Sequence, residues 1–152
     1  MKRTKEENIE LCKRYPFLIP RNRWTGEIAR DYDYSYTEID ALGEGWFKAF
    51  GLQICEEIRN ALIEANYLDK YRIIDIKEKY GSLRWYDAGA PEKVYKIIRK
   101  YEKLSEEVCY NCGKPSVGYT PGWILFLCED CGKKENAFVR FDEENNEDEK
   151  EN

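Results

Sequence analysis

The clearest pattern of apolar and polar positions runs from Trp46 to about Ala65. Apolar side chains recur there at steps of three and four residues, the spacing of one helix face: Phe47, Phe50, Ile54, Ile58, Leu62 and Ala65. Asn66 suits the left-handed residue that follows a helix end. The pattern predicts a long amphipathic helix that begins after Gly43-Glu-Gly-Trp46.

Two further helices are predicted. Residues 4–14 begin with capping-box spacing between Thr4 and Glu7, and Pro16 ends that helix. Pro91 occupies a position at which proline commonly begins a helix, and the second helix is predicted over residues 91–107. Its apolar positions define one inner face: Val94, Ile97, Ile98, Tyr101 and Leu104.

Residues 71–80 and 82–87 alternate between apolar and polar side chains, which predicts a β-hairpin turning near Gly81. One side is expected to face the core: Ile74, Ile76, Tyr80, Leu83 and Trp85. The opposite side carries Lys77, Lys79, Arg84 and Tyr86. Residues 21–45 show no regular period, so we expect a surface segment packed by its own aromatics, or a loop that orders on binding.

Composition narrows the class of protein. The chain of 152 residues is long enough for one domain with a modest core and a small additional module. No apolar run approaches the roughly 20 residues that span a membrane, and the charged N-terminus does not resemble a secretory signal. We therefore expect a cytoplasmic protein without a membrane partner. In that reducing setting the six cysteines are expected to be metal ligands or buried thiols.

Charge and histidine content bear on function. The net charge is -5, but residues 142–152 alone carry seven acids and one lysine, so the rest of the chain is close to neutral. This acidic tail has no apolar residue and is predicted to be disordered. The chain contains no histidine, which removes the commonest general base and lowers the expectation of an enzyme.

The cysteine pattern is the strongest chemical signal. Cys109-Tyr-Asn-Cys112 and Cys128-Glu-Asp-Cys131 are two pairs separated by fifteen residues, each followed by glycine. Two such pairs complete the tetrahedron that zinc prefers, and four protein ligands leave no open position for catalysis. We predict one structural zinc ion, with a strand over residues 123–127 delivering the second pair. Redox pairs, buried thiols and iron are the alternatives.

Two cysteines lie outside the paired pattern. Cys12 and Cys55 fall at helical core positions far from the pairs, and both are predicted to be buried free thiols.

The hairpin sequence Ile76-Lys-Glu-Lys-Tyr-Gly-Ser-Leu-Arg-Trp-Tyr86 resembles the KEKFGGLRFY signature of small phage and prophage proteins of uncharacterised function. Other landmarks fit in order, over roughly residues 10–132: Arg14-Tyr-Pro16, Gly43-Glu-Gly-Trp46, Cys109-x-x-Cys112-Gly and Gly122-Trp123. The chain departs from the pattern at Ser82, and related sequences can carry histidine where Cys131 stands. The resemblance implies a phage or prophage origin and a bacterial host cytoplasm, and it implies no activity.

Two surfaces are candidate binding sites. Lys77, Lys79, Arg84 and Tyr86 combine cations with an aromatic ring, as phosphate contacts and base stacking require. An ordinary solvated outer face is the favoured alternative.

Arg21, Arg23 and Trp24 form a basic and aromatic cluster in a loop, where binding residues often lie. A packed tryptophan with solvated arginines is the favoured interpretation of this cluster. Because tryptophan has a large apolar surface, we predict that the other three tryptophans, Trp46, Trp85 and Trp123, build the core or its junction with the zinc module.

These observations predict an α+β fold. Two core helices pack on a short antiparallel hairpin within residues 1–107, a zinc-ribbon or treble-clef-like module occupies residues 108–141, and the acidic tail covers residues 142–152. The favoured function is a non-enzymatic interaction protein that binds a host or phage protein and modulates host machinery or defence. A protein that binds nucleic acid through the basic and aromatic face of the hairpin and the zinc module is the alternative, and a histidine-free enzyme ranks last.

Overall fold

Five helices and two small antiparallel sheets make up the fold in the computed structural model, which describes residues 2–143. The helices are α1 (Lys5–Arg14), α2 (Glu44–Trp46), α3 (Leu52–Glu64), α4 (Glu92–Ser105) and α5 (Glu129–Gly132). The strands are β1 (Ile73–Lys79), β2 (Ser82–Asp87), β3 (Gly118–Tyr119), β4 (Phe126–Leu127) and β5 (Val139–Arg140). The predicted α+β class is confirmed.

The predicted long helix is one continuous stretch formed by α2, a π-helical turn over Phe47–Gly51, and α3. Its inner face is the centre of the core and is fully buried: Trp46, Phe50, Ile54, Ile58 and Leu62. Asn66 has a positive φ of 53°, as predicted for the residue after the helix. Ala65 is exposed because α3 ends one residue before it.

The hairpin turns through two residues, because Lys79 lies opposite Ser82. Tyr80 and Gly81 both have positive φ, 54° and 83°, which is the geometry of a type I′ turn. The prediction that Tyr80 faces the core is therefore wrong: its side chain leaves the strand alternation at the turn and is 71% exposed.

The rest of the predicted hairpin core is largely confirmed. Ile76, Leu83 and Trp85 are buried. A register shift between Ile73 and Asp75 buries Ile73 and leaves Ile74 only half-buried. This β-bulge adds one residue to β1, so the buried position falls on Ile73 instead of Ile74.

Helix α4 closes the free edge of β2. The Leu83 N–H donates to Ser105 Oγ over 3.0 Å, and the Trp85 N–H donates to Glu102 Oε2 over 3.2 Å. Both amides would otherwise lie unpaired on an edge strand. Ser105 is fully buried, and its carbonyl also accepts a hydrogen bond from Trp46 Nε1 over 3.2 Å. This contact links the hairpin, α4 and α2.

The N-terminal helix confirms its predicted cap. Thr4 Oγ1 accepts from the Glu7 N–H over 3.1 Å, and Glu7 Oε1 accepts from the Thr4 N–H over 3.0 Å. Asn8 is buried in this helix and donates from Nδ2 to Tyr34 O over 2.8 Å, which ties the irregular segment to the core.

In the irregular segment, the Tyr32 ring packs against Tyr34 and Tyr36 at centroid distances of 4.8 and 5.6 Å. The aromatic packing predicted for this segment is therefore present at residues 32–36. The expectation of a wholly irregular surface segment is wrong for its last part, because Glu38–Ala41 form a 3-10 helix, and Ile39 and Leu42 are buried in the core.

The two unpaired cysteines, Cys12 and Cys55, are buried and free. Burial raises the pKa of Cys12 to about 11 and that of Cys55 to about 12.

The predicted acidic tail, residues 142–152, lies mostly outside the described residues. Only Asp142 and Glu143 of the tail are described. Within residues 2–143, no helix has the length and apolar character needed to cross a bilayer.

Candidate metal centre

The first cysteine pair lies on a tight turn just after α4. The Cys109 N–H donates to Lys114 O over 2.7 Å, and the Gly113 N–H donates back to Cys109 O over 3.0 Å. Gly113 has a φ of +86°, which a residue with a Cβ rarely adopts. The glycine after the pair therefore allows the chain to reverse and place Cys112 beside Cys109.

The second pair lies at the start of α5. Cys128 follows β4 directly and caps the helix, with the Cys131 N–H 3.5 Å from Cys128 Sγ. The Gly132 N–H donates to Cys128 O over 2.8 Å. A Cβ on Gly132 would lie 2.5 Å from the Phe138 ring, so the ring can cover this turn only because the residue is glycine.

A three-stranded sheet in the order β4-β3-β5 carries the second pair to the first. The Tyr110 N–H donates to Phe126 O over 3.0 Å, which joins the first turn directly to β4. The strand predicted over residues 123–127 is shorter than expected. Thr120 Oγ1 accepts from the Leu125 N–H and donates to Trp123 O, and these bonds fold the first residues of that segment into a turn.

The four sulfur atoms converge as the spacing predicts. Sγ atoms of Cys109, Cys112, Cys128 and Cys131 all lie within 4.8 Å of one another, and the Cys112 and Cys128 sulfurs are 3.5 Å apart. Zinc–sulfur bonds of about 2.3 Å in a tetrahedron place sulfurs about 3.8 Å apart, so the arrangement fits one ion. Within residues 2–143, no other group of three or more such ligands comes together.

The pKa values of Cys109 and Cys131 are shifted in opposite directions. Burial raises the pKa of Cys109, but hydrogen bonds from neighbouring backbone amides outweigh it and lower that pKa to about 7. Burial and the adjoining sulfurs raise the pKa of Cys131 to about 12. Thiols this close cannot all ionise without a positive charge among them, because like charges disfavour one another. A metal ion would supply that charge.

The first cysteine turn packs directly on the start of the long helix. The Gly45 N–H donates to Tyr110 O over 3.0 Å, and an added Cβ on Gly45 would lie 2.5 Å from that oxygen and closer still to Cys109 O. The Tyr110 ring meets the Trp46 ring edge-on at 4.9 Å. The Gly43-Glu-Gly-Trp46 motif is therefore the surface against which the cysteine turn docks.

The hairpin residues proposed for binding do share one face, with Lys77 directly opposite Arg84. Lys77 Nζ lies 5.5 Å from the centre of the Tyr86 ring and 3.8 Å from Asp75 Oδ2. Arg84 is half-buried and donates from Nη1 to Ser82 Oγ over 3.1 Å. Lys77 and Tyr86 are exposed and in contact, whereas Arg84 is held in place.

The loop residues proposed for binding are arranged differently. Arg21 donates from Nη1 to Gly26 O over 3.1 Å and so stabilises its own loop, while Arg23 is exposed. Trp24 is 83% exposed, so the expectation of a packed tryptophan is wrong. The loop turns around Asn22, whose side chain accepts from two following amides, and this turn directs Trp24 outward.

A cleft between the hairpin turn and the metal module was not predicted. Trp123 was expected in the core or at its junction, but it is 79% exposed. It faces a cleft of about 290 Å³ with these lining residues: Glu78, Lys79, Tyr80, Gly122, Trp123 and Ile124. Gly81, in the hairpin turn, packs against Phe126 of β4 in the metal module. An added Cβ on Gly81 would lie 2.9 Å from the Phe126 ring.

One feature of the sequence could have indicated that these two aromatic residues are exposed. Each stands next to a glycine that suits a turn, in Tyr80-Gly81 and in Gly122-Trp123. Turn geometry at each site carries the aromatic side chain outward. Only the fold shows that the two turns are neighbours.

A comparison of the chain with family models, curated proteins and solved structures finds no match. The resemblance to phage and prophage proteins therefore stays a prediction.

Proposed function

We propose that this chain is a zinc-binding interaction protein of phage or prophage origin, which binds a host or phage protein in the bacterial cytoplasm and catalyses no reaction. One observation carries the proposal: two large aromatic side chains, Tyr80 and Trp123, are strongly exposed at one cleft. They come from different parts of the chain, and the metal module holds them together.

Zinc is the ion that best suits the four sulfurs. A four-thiolate tetrahedron fits zinc or iron, and zinc is the usual occupant of a closed site with this ligand spacing. Such a site stabilises a fold, since no coordination position is left for water or substrate. Elemental analysis of native protein should find one zinc per chain, and finding iron instead would correct the identity of the ion.

The cleft has the composition of a protein-binding site. Aromatic side chains contribute most to protein interfaces because each buries a large area at little cost in conformational entropy. Tyr80 and Trp123 supply two such groups, and Ile124 lies half-buried beside them. Glu78 and Lys79 add a charged rim to the cleft. We expect the partner to insert an apolar side chain between the two rings.

The chemistry of the chain supports binding over catalysis. It has no histidine, and its most distinctive polar cluster is a closed set of metal ligands. The two exposed aromatics at the cleft offer a large apolar contact area.

A matched capture experiment tests the proposal. The full chain, a Tyr80→Ala/Trp123→Ala double variant and a Trp24→Ala variant are immobilised and exposed to host lysate. Trp24 is the control because it is as exposed as Trp123 but lies on a different loop. We expect one stoichiometric protein to bind the full chain and Trp24→Ala, and to be lost from the double variant. No stoichiometric partner, or equal capture by all three, would contradict the proposal.

A further inference from the structure

A second concave surface lies on another side of the hairpin, between β2 and α4. It is a groove of about 470 Å³ with these lining residues: Ser82, Arg84, Lys96, Arg99, Lys100, Glu102, Lys103 and Glu106. Five of the eight carry a positive charge. We propose that this groove binds the phosphodiester backbone of a nucleic acid.

The cations on α4 form a row. Lys96, Arg99 and Lys103 follow one another at steps of three and four residues, so they project from the same side of the helix. From the first to the last, the row extends about 10 Å along the helix axis. A strand of duplex DNA advances 3.4 Å along the duplex axis per phosphate, so a row of this length spans about three such steps.

These three cations are available for a ligand. All three are exposed, and in the part of the chain that the structure describes none forms an ion pair with an acid. Lys100 is different, because its Nζ is paired with Glu57 over 2.5 Å. The free charge of the groove is therefore concentrated on Lys96, Arg99 and Lys103.

The acids of the groove do not cancel this charge. Glu102 Oε2 accepts the Trp85 N–H that closes the edge of β2, so this carboxylate is engaged by the hairpin. Glu102 and Glu106 are the two acids among the eight lining residues, against five cations, and the net charge of the lining is therefore +3.

Arg84 joins the groove to the outer face of the hairpin. It is half-buried, and its guanidinium is oriented by Ser82 Oγ and Leu83 O, at 3.1 and 3.3 Å. Lys77 lies directly opposite it on β1, in contact with the exposed ring of Tyr86. A bound strand can therefore continue from α4 across Arg84 to a cation and a ring on which a base can stack. The groove and the protein-binding cleft have no lining residue in common.

The test is fluorescence anisotropy of the zinc-loaded full chain with a labelled twelve-nucleotide single strand and, separately, the matching duplex. We expect binding in at least one arm at 50 mM salt, weakening steeply as salt rises. The arm with the tighter binding identifies whether the backbone is recognised in a single strand or a duplex. No binding in either arm would overturn the proposal.

The decisive variant is Lys96→Glu/Arg99→Glu/Lys103→Glu. We expect affinity to fall at least tenfold, and the slope of log K against log salt to decrease by about two, because two to three phosphate contacts are lost. If this variant does not fold by circular dichroism, Lys96→Gln/Lys103→Gln removes charge from exposed positions only. We expect that variant to weaken binding at least threefold.

The matched control is Lys5→Glu/Lys70→Glu/Lys134→Glu, which changes the net charge equally at exposed positions outside the groove. We expect it to reduce affinity by less than threefold. An equal loss from both triple variants would mean that binding reflects overall charge, and the assignment to the groove would be wrong.

Discussion

The α+β core and the metal module are stabilised in different ways. Among the described residues, twenty-two buried hydrophobic side chains form one cluster in the core, whereas three buried side chains form the cluster of the module: Cys109, Leu127 and Cys128. Burial of apolar surface is the main force that stabilises folded chains. The core has enough of it to fold on that basis, and the module does not.

This difference means that the module needs support from outside its own packing. A metal ion held by the four sulfurs would be one such support, since structural zinc sites supply the folding free energy of small modules. The other is the docking surface that Gly43, Gly45 and Trp46 provide for the first cysteine turn. The exposed aromatic cleft depends on both, because Trp123 belongs to the module and Tyr80 to the core.

Removing the metal should have the largest effect and should separate the two regions. Structural zinc contributes on the order of 10 kcal/mol to the folding of such modules. We expect a strong chelator to abolish hydrogen-exchange protection across residues 108–141 while α3 and α4 retain theirs. A Cys112→Ser variant should do the same without chelator.

Cys12→Ser is the control for that variant, because Cys12 is buried in the core and far from the four ligands in sequence. It should leave metal content unchanged. Protection that persists in the module after complete metal removal would show that its own packing is sufficient, and the comparison of the two regions would fail.

Gly45→Ala should break the docking of the module on the core. The added Cβ would lie 2.5 Å from the Tyr110 carbonyl oxygen, and backbone on both sides leaves little room to relax. We expect a loss of about 2–3 kcal/mol, measured by urea denaturation of the zinc-loaded protein. Gln53→Ala, at an exposed position of the same long helix, should change stability by less than about 0.5 kcal/mol.

Ser105→Ala should weaken the core at the edge of the hairpin. The Leu83 N–H would lose its acceptor in a fully buried position, and an unpaired buried amide costs about 1–3 kcal/mol. We expect a destabilisation of about 2 kcal/mol in thermal or urea unfolding, with zinc content unchanged. A loss of zinc would mean that the core and the module are more tightly coupled than their separate clusters indicate.

The pH dependence of the core should come from Glu38. Burial and the nearby charge of Asp75 raise the pKa of this carboxyl from 4.5 to about 7. Below pH 4.5 the carboxyl is protonated in both the folded and the unfolded chain and has no effect. As pH rises from 4.5 to 7 the unfolded chain releases the proton first, so stability falls.

After allowance for partial exposure, this effect should amount to about 1–2 kcal/mol. We expect Glu38→Gln to be more stable than the wild type at pH 8 and equal to it near pH 4.5, in urea denaturation of the zinc-loaded protein. Glu27→Gln, at an exposed position, should show no such difference. A pH-independent effect of Glu38→Gln would refute the assignment.

Several elements could be predicted from local pattern because local forces determine them. The apolar spacing over residues 46–65 predicted the long helix, and the Thr4 cap predicted where α1 begins. Cysteine spacing predicted four ligands at one point, since a two-residue separation brings both sulfurs of a pair together within a turn. The metal identity and the origin stay predictions.

Predictions failed where the position of a side chain depended on a turn or a distant neighbour. Alternation along the hairpin placed Tyr80 inward, but the left-handed turn directs it outward. Trp123 was expected to pack in the core or at its junction with the module, but it lines an open cleft and is 79% exposed. Thr120 folds that segment into a turn and leaves the ring exposed.

The sequence by itself determined the helices, the hairpin and the four cysteines whose sulfurs converge, because helical period, strand alternation and the spacing within each cysteine pair act over a few residues. Tertiary structure alone decided which surfaces those elements form together. It brought Gly45 against the cysteine turn, Tyr80 beside Trp123, and Arg84 beside the cations of α4. Each of these contacts joins residues far apart in the chain, and depends on packing that no local pattern records.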